Sequence, residues 1–356
     1  MKCVQFDNEE KYIKDFLKLP KKLYTHWNNT ENSNEVKSIL LGKHTLLKYI
    51  DKLYKFCIYD DSNKIVGRFA ITIVEGDSDA YLGFFECVED DKVAKFLFDN
   101  AAEFVKKLGY KHIVGPVDLN MWFKYRLKIN RFDLRPYTGE PYNREYYYKL
   151  FEDNGYVIKD KYYSNSFKRF GPEYDNPKYS RRYEYFVKNG YEIRSIKPEE
   201  WDSAIEEVYE LIMQLYTKFN TFKKISKEDF IEQFDSLRKI IDYNFIIMGY
   251  YEGKIVGFSI GIPNYNNAVY NLSSIRNLLK ILKVKKQPDE YMITYMGVDP
   301  AHRGLARAIT YVTIEHLKKN HAKSIGALIR EGTVTNNFAQ DMLKFSYEYV
   351  LMEKNV

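Results

Sequence analysis

Residues 291–313 read YMITYMGVDPAHRGLARAITYVT, and their reading decides the fold. The run 291–298 is apolar and β-prone, long enough for a buried strand. Asp299-Pro300 stops it, because proline cannot continue a hydrogen-bonded ladder and restricts the residue before it. Arg303-Gly304-Leu305-Ala306 follows, and then a helical pattern with Leu305, Ile309, Val312 and Leu317 on one face. A strand, a small-residue turn and a helix make an anion site. The first-turn N–H groups lack intrahelical partners, and the helix dipole adds partial positive charge there. Gly304 and Ala306 carry little side chain, so a pyrophosphate can approach the backbone, and Arg303 and Arg307 add full charges at the rim.

Two other phosphate turns are excluded on spacing: the three glycines of GxGxxG and the GxxxxGK of a P-loop are both absent. The stretch instead resembles motif A of the GNAT acyltransferase superfamily, V-x-P-x-x-R-G-x-G/A-x-A. The matching residues run Val298-Asp299-Pro300-Ala301-His302-Arg303-Gly304-Leu305-Ala306-Arg307-Ala308. Members commonly carry Gln or Arg where this chain has Ala301. The resemblance implies acetyl-CoA, or another acyl-CoA, as co-substrate. It implies that Arg303, Gly304, Leu305, Ala306 and Arg307 take the pyrophosphate. Main-chain groups of Met296, Gly297 and Val298 would hold the pantetheine, while Met296 and Val298 also pack the core.

At 356 residues the chain is long for one core and suits two domains. Apolar content of 45% with 29% charged residues reads as a soluble globular protein. The net charge of +6 is spread along the chain without a basic run, so no nucleic-acid partner is expected. Cys3, Cys57 and Cys87 lack CxxC spacing and the histidines lack HxH or HxxxH spacing, so neither a disulfide framework nor a metal site is expected. The N-terminus has no signal-peptide core, and no apolar run reaches the roughly 18 residues of a membrane span. The expectation is a cytoplasmic protein with no membrane partner. Composition is silent on oligomeric state.

Upstream, the patterns predict a strand at 3–6, helices at 11–18 and 45–53, and an exposed polar loop at 27–34. A hairpin (54–59 and 65–74), a strand (81–88) and an amphipathic helix (93–108) ended by Gly109 follow. Lys64-Ile65-Val66-Gly67 then returns as Lys254-Ile255-Val256-Gly257, and the order of elements around it returns too. The second copy has a strand at 191–196, helices near 205–219 and 227–241, and a hairpin at 245–262. The fold expected is α/β: two copies of one unit in tandem, each a mixed sheet flanked by helices, meeting at a cleft. The boundaries expected are 1–170, a linker at 171–190 where Pro, Gly, Asn and Ser cluster, and 191–356.

The copies differ at the phosphate turn. In place of the turn at 301–306, the first copy has Cys87-Val88-Glu89-Asp90-Asp91-Lys92-Val93-Ala94. Three acids at a helix start suit that helix's dipole and repel a pyrophosphate. The first copy is therefore read as a degenerate unit, structural or substrate-shaping. Residues 81–163 also resemble the N-terminal half of YghO-like tandem proteins of the superfamily, on Gly115-Pro116 after a strand and on 143–156.

Acyl transfer from a thioester to an amine needs a neutral amine, donors for the developing oxyanion and a proton for the thiolate. Placing two substrates side by side supplies much of the rate. The resemblance implies a Tyr acid in a motif N-x-x-A-x-x-x-Y-x-x-x-G-F. Aligned on Asn336 and Ala339, that position holds Leu343, and Tyr347 replaces the glycine. Tyr347 or Tyr349 reads as a substitute acid or as a core or edge residue of a C-terminal strand, and Asn336 is either a pantetheine partner or a helix cap. For the base or a water relay, Glu290 opens the motif A strand and Tyr295 lies within it, each with a structural role as the alternative. His302 and His316 titrate in a useful range, with His302 nearer the phosphates. The aromatic, Pro- and Gly-broken segment 132–148, with Arg131, Arg135 and Arg144, reads as an acceptor-pocket lining or as a packed inter-domain loop.

The function expected is acyl-CoA-dependent N-acyltransfer, with acetyl as the acyl group, onto a small-molecule amine or amino-acid-like acceptor. Two rivals remain open. One is an acyl-CoA-binding protein without turnover, favoured by the missing Tyr. The other is a Fem-like aminoacyl transferase, which calls for a tRNA-sized basic surface or helical arm that the sequence lacks.

Overall fold

The computed structural model describes residues 1–218 and 222–356. Its contacts divide the chain into two units, Met1–Tyr162 with Tyr347–Val356, and Tyr163–Ser346. Unit 1 contains β1 (Lys2–Phe6), α1 (Glu10–Leu23), α2 (Ser33–Leu40), β2 (Lys52–Tyr59), β3 (Ile65–Ile73), β4 (Asp79–Cys87), α3 (Asp91–Lys107) and β5 (His112–Gly115). It continues through β6 (Val117–Asp118), β7 (Lys124–Tyr125), β8 (Leu127–Lys128), α4 (Tyr147–Asp153) and the first part of β9 (Val157–Phe167). Unit 2 contains α5 (Pro177–Lys188), β10 (Tyr191–Ser195), α6 (Trp201–Leu215), α7 (Lys227–Asp235), β11 (Ile246–Tyr251) and β12 (Lys254–Pro263). There follow α8 (Ile275–Lys286), β13 (Glu290–Val298), α9 (Leu305–Lys319), β14 (Lys323–Arg330) and the start of β15 (Leu343–Asn355).

The same ladder is built twice. Strands β1 to β4 pair antiparallel in sequence and β4 runs parallel to β5; β10 to β13 and then β14 repeat this. The KIVG repeat marks a β-bulge in the same place in each. Gly67 pairs with Ile58 and Ile65 with Tyr59, skipping Val66; Gly257 pairs with Gly249 and Ile255 with Tyr250, skipping Val256. Both glycines lie under a helix. A Cβ on Gly67 would sit 3.1 Å from Leu97 of α3, and one on Gly257 3.1 Å from Ile309 of α9. Packing against that helix explains why the glycine recurs.

Each unit buries an apolar face of its strands against its helix. In unit 1, Phe56, Phe69 and Leu82 meet Leu97 and Phe98. In unit 2, Ile247 and Val256 meet Leu305, Ala308 and Ile309. The predicted helix face is the buried one, with Leu305, Ile309 and Leu317 inside and Val312 half-buried. Residues 347–355 of β15 belong to unit 1. Tyr349 and Val350 pair with β8, and Met352–Asn355 run antiparallel to β5.

Several expectations need correction. The segment expected as a linker at 171–190 holds α5, capped by Asn176 with Pro177 in its first turn. It packs on α9, where the rings of Tyr183 and Tyr311 stack at 4.8 Å. Unit 2 thus begins at Tyr163 rather than 191, and it gives up the last residues of the chain. The helix expected at 45–53 is a 3-10 turn, Thr45–Tyr49, because the edge of β2 takes the chain from Lys52. The polar stretch 27–34 is largely half-buried: Glu31 pairs with the buried Arg68 and Asn32 caps α2. The helix near 205–219 spans Trp201–Leu215, and Phe219 lies outside the described residues. That at 227–241 ends at Asp235 and passes into a 3-10 turn, Ser236–Lys239. Among the described residues, no helix is long and apolar enough to cross a membrane.

Segment 132–148 is also more buried than expected. Tyr137, Glu140, Tyr142 and Tyr147 are all buried within unit 1. The cause is the ammonium of Lys128, which donates to Glu140 Oε1 at 2.7 Å and lies 4.8 Å from the Tyr142 ring centre. A buried cation needs such partners, so this segment folds over it.

Candidate functional site

Asp299 ends β13 and accepts a hydrogen bond from the Ala301 N–H at 2.8 Å. Gly304 then starts α9 with φ 99°, a left-handed value that favours glycine. An added Cβ would find nothing nearer than the Arg182 guanidinium, at 3.7 Å. Arg182 comes from α5 and leans over the turn, joining exposed Arg303 and half-buried Arg307. Sequence reasoning missed it because α5 lay within the expected linker; Asn176-Pro177 was the overlooked helix-start signal. An Arg182→Ala variant is expected to weaken CoA binding about three- to tenfold, a charged contact discounted for exposure. Calorimetric titration with CoA checks it.

The matching turn of unit 1 is already occupied. Asp90 accepts from the N–H groups of Lys92 and Val93 at 2.8 and 3.2 Å, so its own carboxylate fills the anion position. Above Gly83 of β4 there is no room either, since a Cβ there would lie 2.0 Å from the Val117 carbonyl oxygen. A cavity in unit 1, lined by Arg68, Glu86 and Asp118, measures about 30 Å³.

Unit 2 is open at the equivalent place. The parallel ladder of β13 and β14 covers Glu290–Ile293 against Lys323–Gly326 and goes no further. A cavity of about 330 Å³ lies at the opening. Ile293, Thr294 and Met296 form one wall, residues 326–330 the other, and Thr310, Thr313, Ile314 and Leu317 of α9 line it as well. A bulge produces the first wall: Ile260 pairs with Tyr295 and Gly261 with Ile293, leaving Thr294 out of register. Leu328, on the other wall, has φ 58°, and its N–H donates to Ser164 Oγ at 2.9 Å. Phe167, Phe170, Phe338 and Ala339 complete a mostly apolar lining. Ala339, at φ 47°, is held by its N–H donating to Tyr179 Oη at 2.6 Å.

The expected site residues divide into two sets. Met296 stands on the cavity wall. Gly297 is demanded by packing, since a Cβ would meet the Phe258 ring at 2.6 Å, and Val298 pairs with Gly257. Arg303, Gly304, Ala306 and Arg307 gather at the start of α9, where Leu305 is buried in the core. Asn336 sits in a 3-10 turn, Val334–Asn337, and its Oδ1 accepts from Asn165 Nδ2 at 3.2 Å; its neighbours Thr335 and Phe338 line the cavity.

None of the three expected catalytic side chains lines the cavity. Glu290 accepts from Asn264 Nδ2 at 2.6 Å, at the far start of β13. Tyr295 packs on Phe234 at 5.3 Å, away from the wall made by its neighbours Thr294 and Met296. Tyr347 belongs to unit 1, buried 5.5 Å from the Tyr137 ring. The motif helix that would carry a Tyr does not form: two 3-10 turns follow β14, and β15 takes Tyr347 into unit 1. Tyr349 is likewise buried there and donates to Glu140 at 2.7 Å.

Both histidines are engaged elsewhere. His302 Nδ1 lies 2.6 Å from Tyr191 Oη, and His316 Nε2 3.0 Å from Ser195 Oγ. Burial lowers the His316 pKa below its usual 6.5. Among the described residues lining the cavity, the tyrosine is Tyr216, just after α6. No local spacing marks it out; tertiary packing alone brings it there.

The family comparison falls within unit 2 but for its last residue. The model of the acetyltransferase (GNAT) family matches residues 205–347, which include the α9 turn and strands β11 to β14. Residues 205–347 are thus the part of the chain that is similar to the GNAT family. The whole chain superposes on a tandem GNAT protein from the clavulanic acid biosynthesis pathway with a TM-score of 0.53 at 11% identity, covering 99% of this chain and 98% of the other. At that identity the likeness shows the fold alone. A bacterial ceramide synthase of Caulobacter vibrioides is 22% identical over 199 residues, 56% of this chain and 51% of that protein. Protein YghO of Escherichia coli is 21% identical over 229 residues, 60% and 55% respectively. The chain spans about half the length of these curated relatives. The tandem α/β fold expected from the repeat is thus the one found.

Proposed function

We propose that unit 2 is an acyl-CoA-dependent N-acyltransferase that passes its acyl group directly to a small amine or amino-acid-like acceptor. The observation that carries this reading is the release of β13 from β14 after Ile293, beside a helix start kept clear at Gly304. Residues 295–298 stay paired to β12 but lose β14 on the other edge. Peptide groups on such an edge need partners, and the amides of a pantetheine arm supply them. Gly304 and the three arginines would take the pyrophosphate, and Met296, Gly297 and Val298 the arm.

In the reaction the amine nitrogen bonds to the thioester carbon, the C–S bond breaks, and the amine loses its proton to water. Tyr216 on the cavity wall is the side chain we assign to protonate the departing thiolate. Thiol release with a panel of amines tests both parts. A Tyr216→Phe variant is expected to lose about 10²-fold or more in kcat with CoA affinity unchanged. An unaltered kcat would remove Tyr216 from the mechanism, and no thiol release with any amine would favour binding without turnover.

A second reading of the acyl group is favoured by the lining. From Thr310 to Leu317 the wall follows α9 for about 10 Å at 1.5 Å per residue, and it is closed by Phe167 and Phe170. This apolar length gives room for a chain longer than acetyl. The name of the Caulobacter relative, a ceramide synthase, points the same way. A series from acetyl-CoA to long-chain acyl-CoA in the same assay decides: fastest turnover with acetyl would leave the cavity to the pantetheine arm alone. The reading puts the protein in the cytoplasm, where acyl-CoA is available.

A further inference from the structure

Helix α8 has no buried residue, although half of its sequence, IRNLLKILKVKK, is aliphatic. Ile275, Leu278, Leu279 and Leu282 are 75%, 42%, 63% and 64% exposed, and Leu272 just before them is 57% exposed. Positions 275, 278, 279 and 282 share one helical face. The opposite side is the one that leans on the protein, with Asn277, Lys280, Ile281 and Val284 half-buried. Lys280 holds it there by donating to Asn266 Oδ1 at 2.7 Å, and Lys285 by donating to the Lys239 carbonyl at 2.9 Å. The apolar row therefore points outward on a fixed helix. An aliphatic row of this size left to water is costly unless something covers it.

The charges around the row say what covers it. At 100° per residue, exposed Arg276 and Lys283 fall on one flank of the row and Lys285 on the other, with Lys286 at its end. Residues 270–288 contain no Asp or Glu. Aliphatic side chains bordered on both flanks by cations match a bilayer surface, where the chains enter the acyl boundary and the cations meet lipid phosphates. A second copy of the chain fits poorly: a two-fold seam would set these cations against one another, and protein interfaces are poor in Lys and rich in aromatic residues. We propose that α8 lies in the surface of an anionic membrane and docks the protein there without spanning it. This goes beyond the acyltransferase reading and does not rest on it.

The test is co-sedimentation of the full chain with vesicles. Binding to phosphatidylcholine–phosphatidylglycerol vesicles is expected to exceed binding to phosphatidylcholine alone by about tenfold or more, and to fall with added salt. A Leu279→Asp/Leu282→Asp variant is expected to lose that binding while keeping its melting temperature, because both side chains are already exposed. A Leu279→Trp variant reports position independently, its emission shifting to the blue on the anionic vesicles. No preference for the anionic vesicles, binding retained by the double variant, or an unshifted emission would overturn the proposal. So would a dimer in vesicle-free solution that the double variant converts to monomer, which would assign the face to a second copy.

Discussion

Gly304→Glu is expected to abolish the thermal stabilisation that saturating acyl-CoA gives the unaltered protein. A ligand at about 100 times its Kd adds about 2.7 kcal/mol, or about 5–10 °C for a unit of this size. Glutamate at the start of α9 would place a carboxylate where the pyrophosphate is to sit, among N–H groups that would bind it instead. Unit 1 already shows that outcome, with Asp90 seated on the first turn of α3. The helix itself tolerates the change, since an acid at its N-terminus suits the dipole. Backbone strain at φ 99° is a separate cost, and Gly304→Asn isolates it, because Asn visits left-handed backbone more readily than other side chains. Retained binding in the Asn variant with none in the Glu variant would locate the phosphates at this turn. A Glu variant that still melts higher with acyl-CoA would remove them from it.

The largest stability effect is expected in unit 1. Lys128 and Glu140 have fully buried side chains 2.7 Å apart, and Tyr349 donates to the same carboxylate oxygen. Lys128→Met would leave Glu140 buried with no cation, at a cost of about 3–5 kcal/mol. Urea unfolding at pH 7 measures it as a lowered midpoint. Burial already pushes the Glu140 pKa above its usual 4.5. Removing Lys128 raises it further, so the folded variant binds a proton that the unfolded chain releases. Its stability should therefore recover as pH falls toward the normal carboxylate range. Lys128→Met/Glu140→Leu should regain most of the loss, because an apolar pair can replace a buried ion pair. If the single variant unfolds at the same urea concentration as the unaltered chain, the pair is dispensable.

Local constraints were legible in the sequence, and long-range ones were not. The strand, turn and helix at 291–313 could be read because each residue answers a nearby demand: Pro300 to end a ladder, Gly304 to turn left-handed, Leu305 and Ile309 to face the core. KIVG could be read because the same bulge and the same close helix constrain Gly67 and Gly257. The catalytic side chains could not. Tyr347 sits at a plausible spacing after Asn336, but pairing of β15 with β5 and β8, more than two hundred residues upstream, decides where it goes. Tyr216 and Arg182 reach the cavity and the turn through packing of α6 and α5, with no trace in local spacing. In 171–190 the Pro, Gly and Asn content suggested a linker, whereas Asn176 and Pro177 were starting a helix.

The strand that closes unit 1 is made late. Until the ribosome has passed all of unit 2, β5 and β8 have no β15 beside them, so the first-encoded half must wait with an open edge for its last piece. The order of synthesis and the order of completion are thus reversed for these two units. A genetic cut at any single point between them severs one sheet from its own strand. The tandem arrangement therefore makes a one-way dependence in assembly: unit 1 is completed only after unit 2, whose residues 163–346 are continuous.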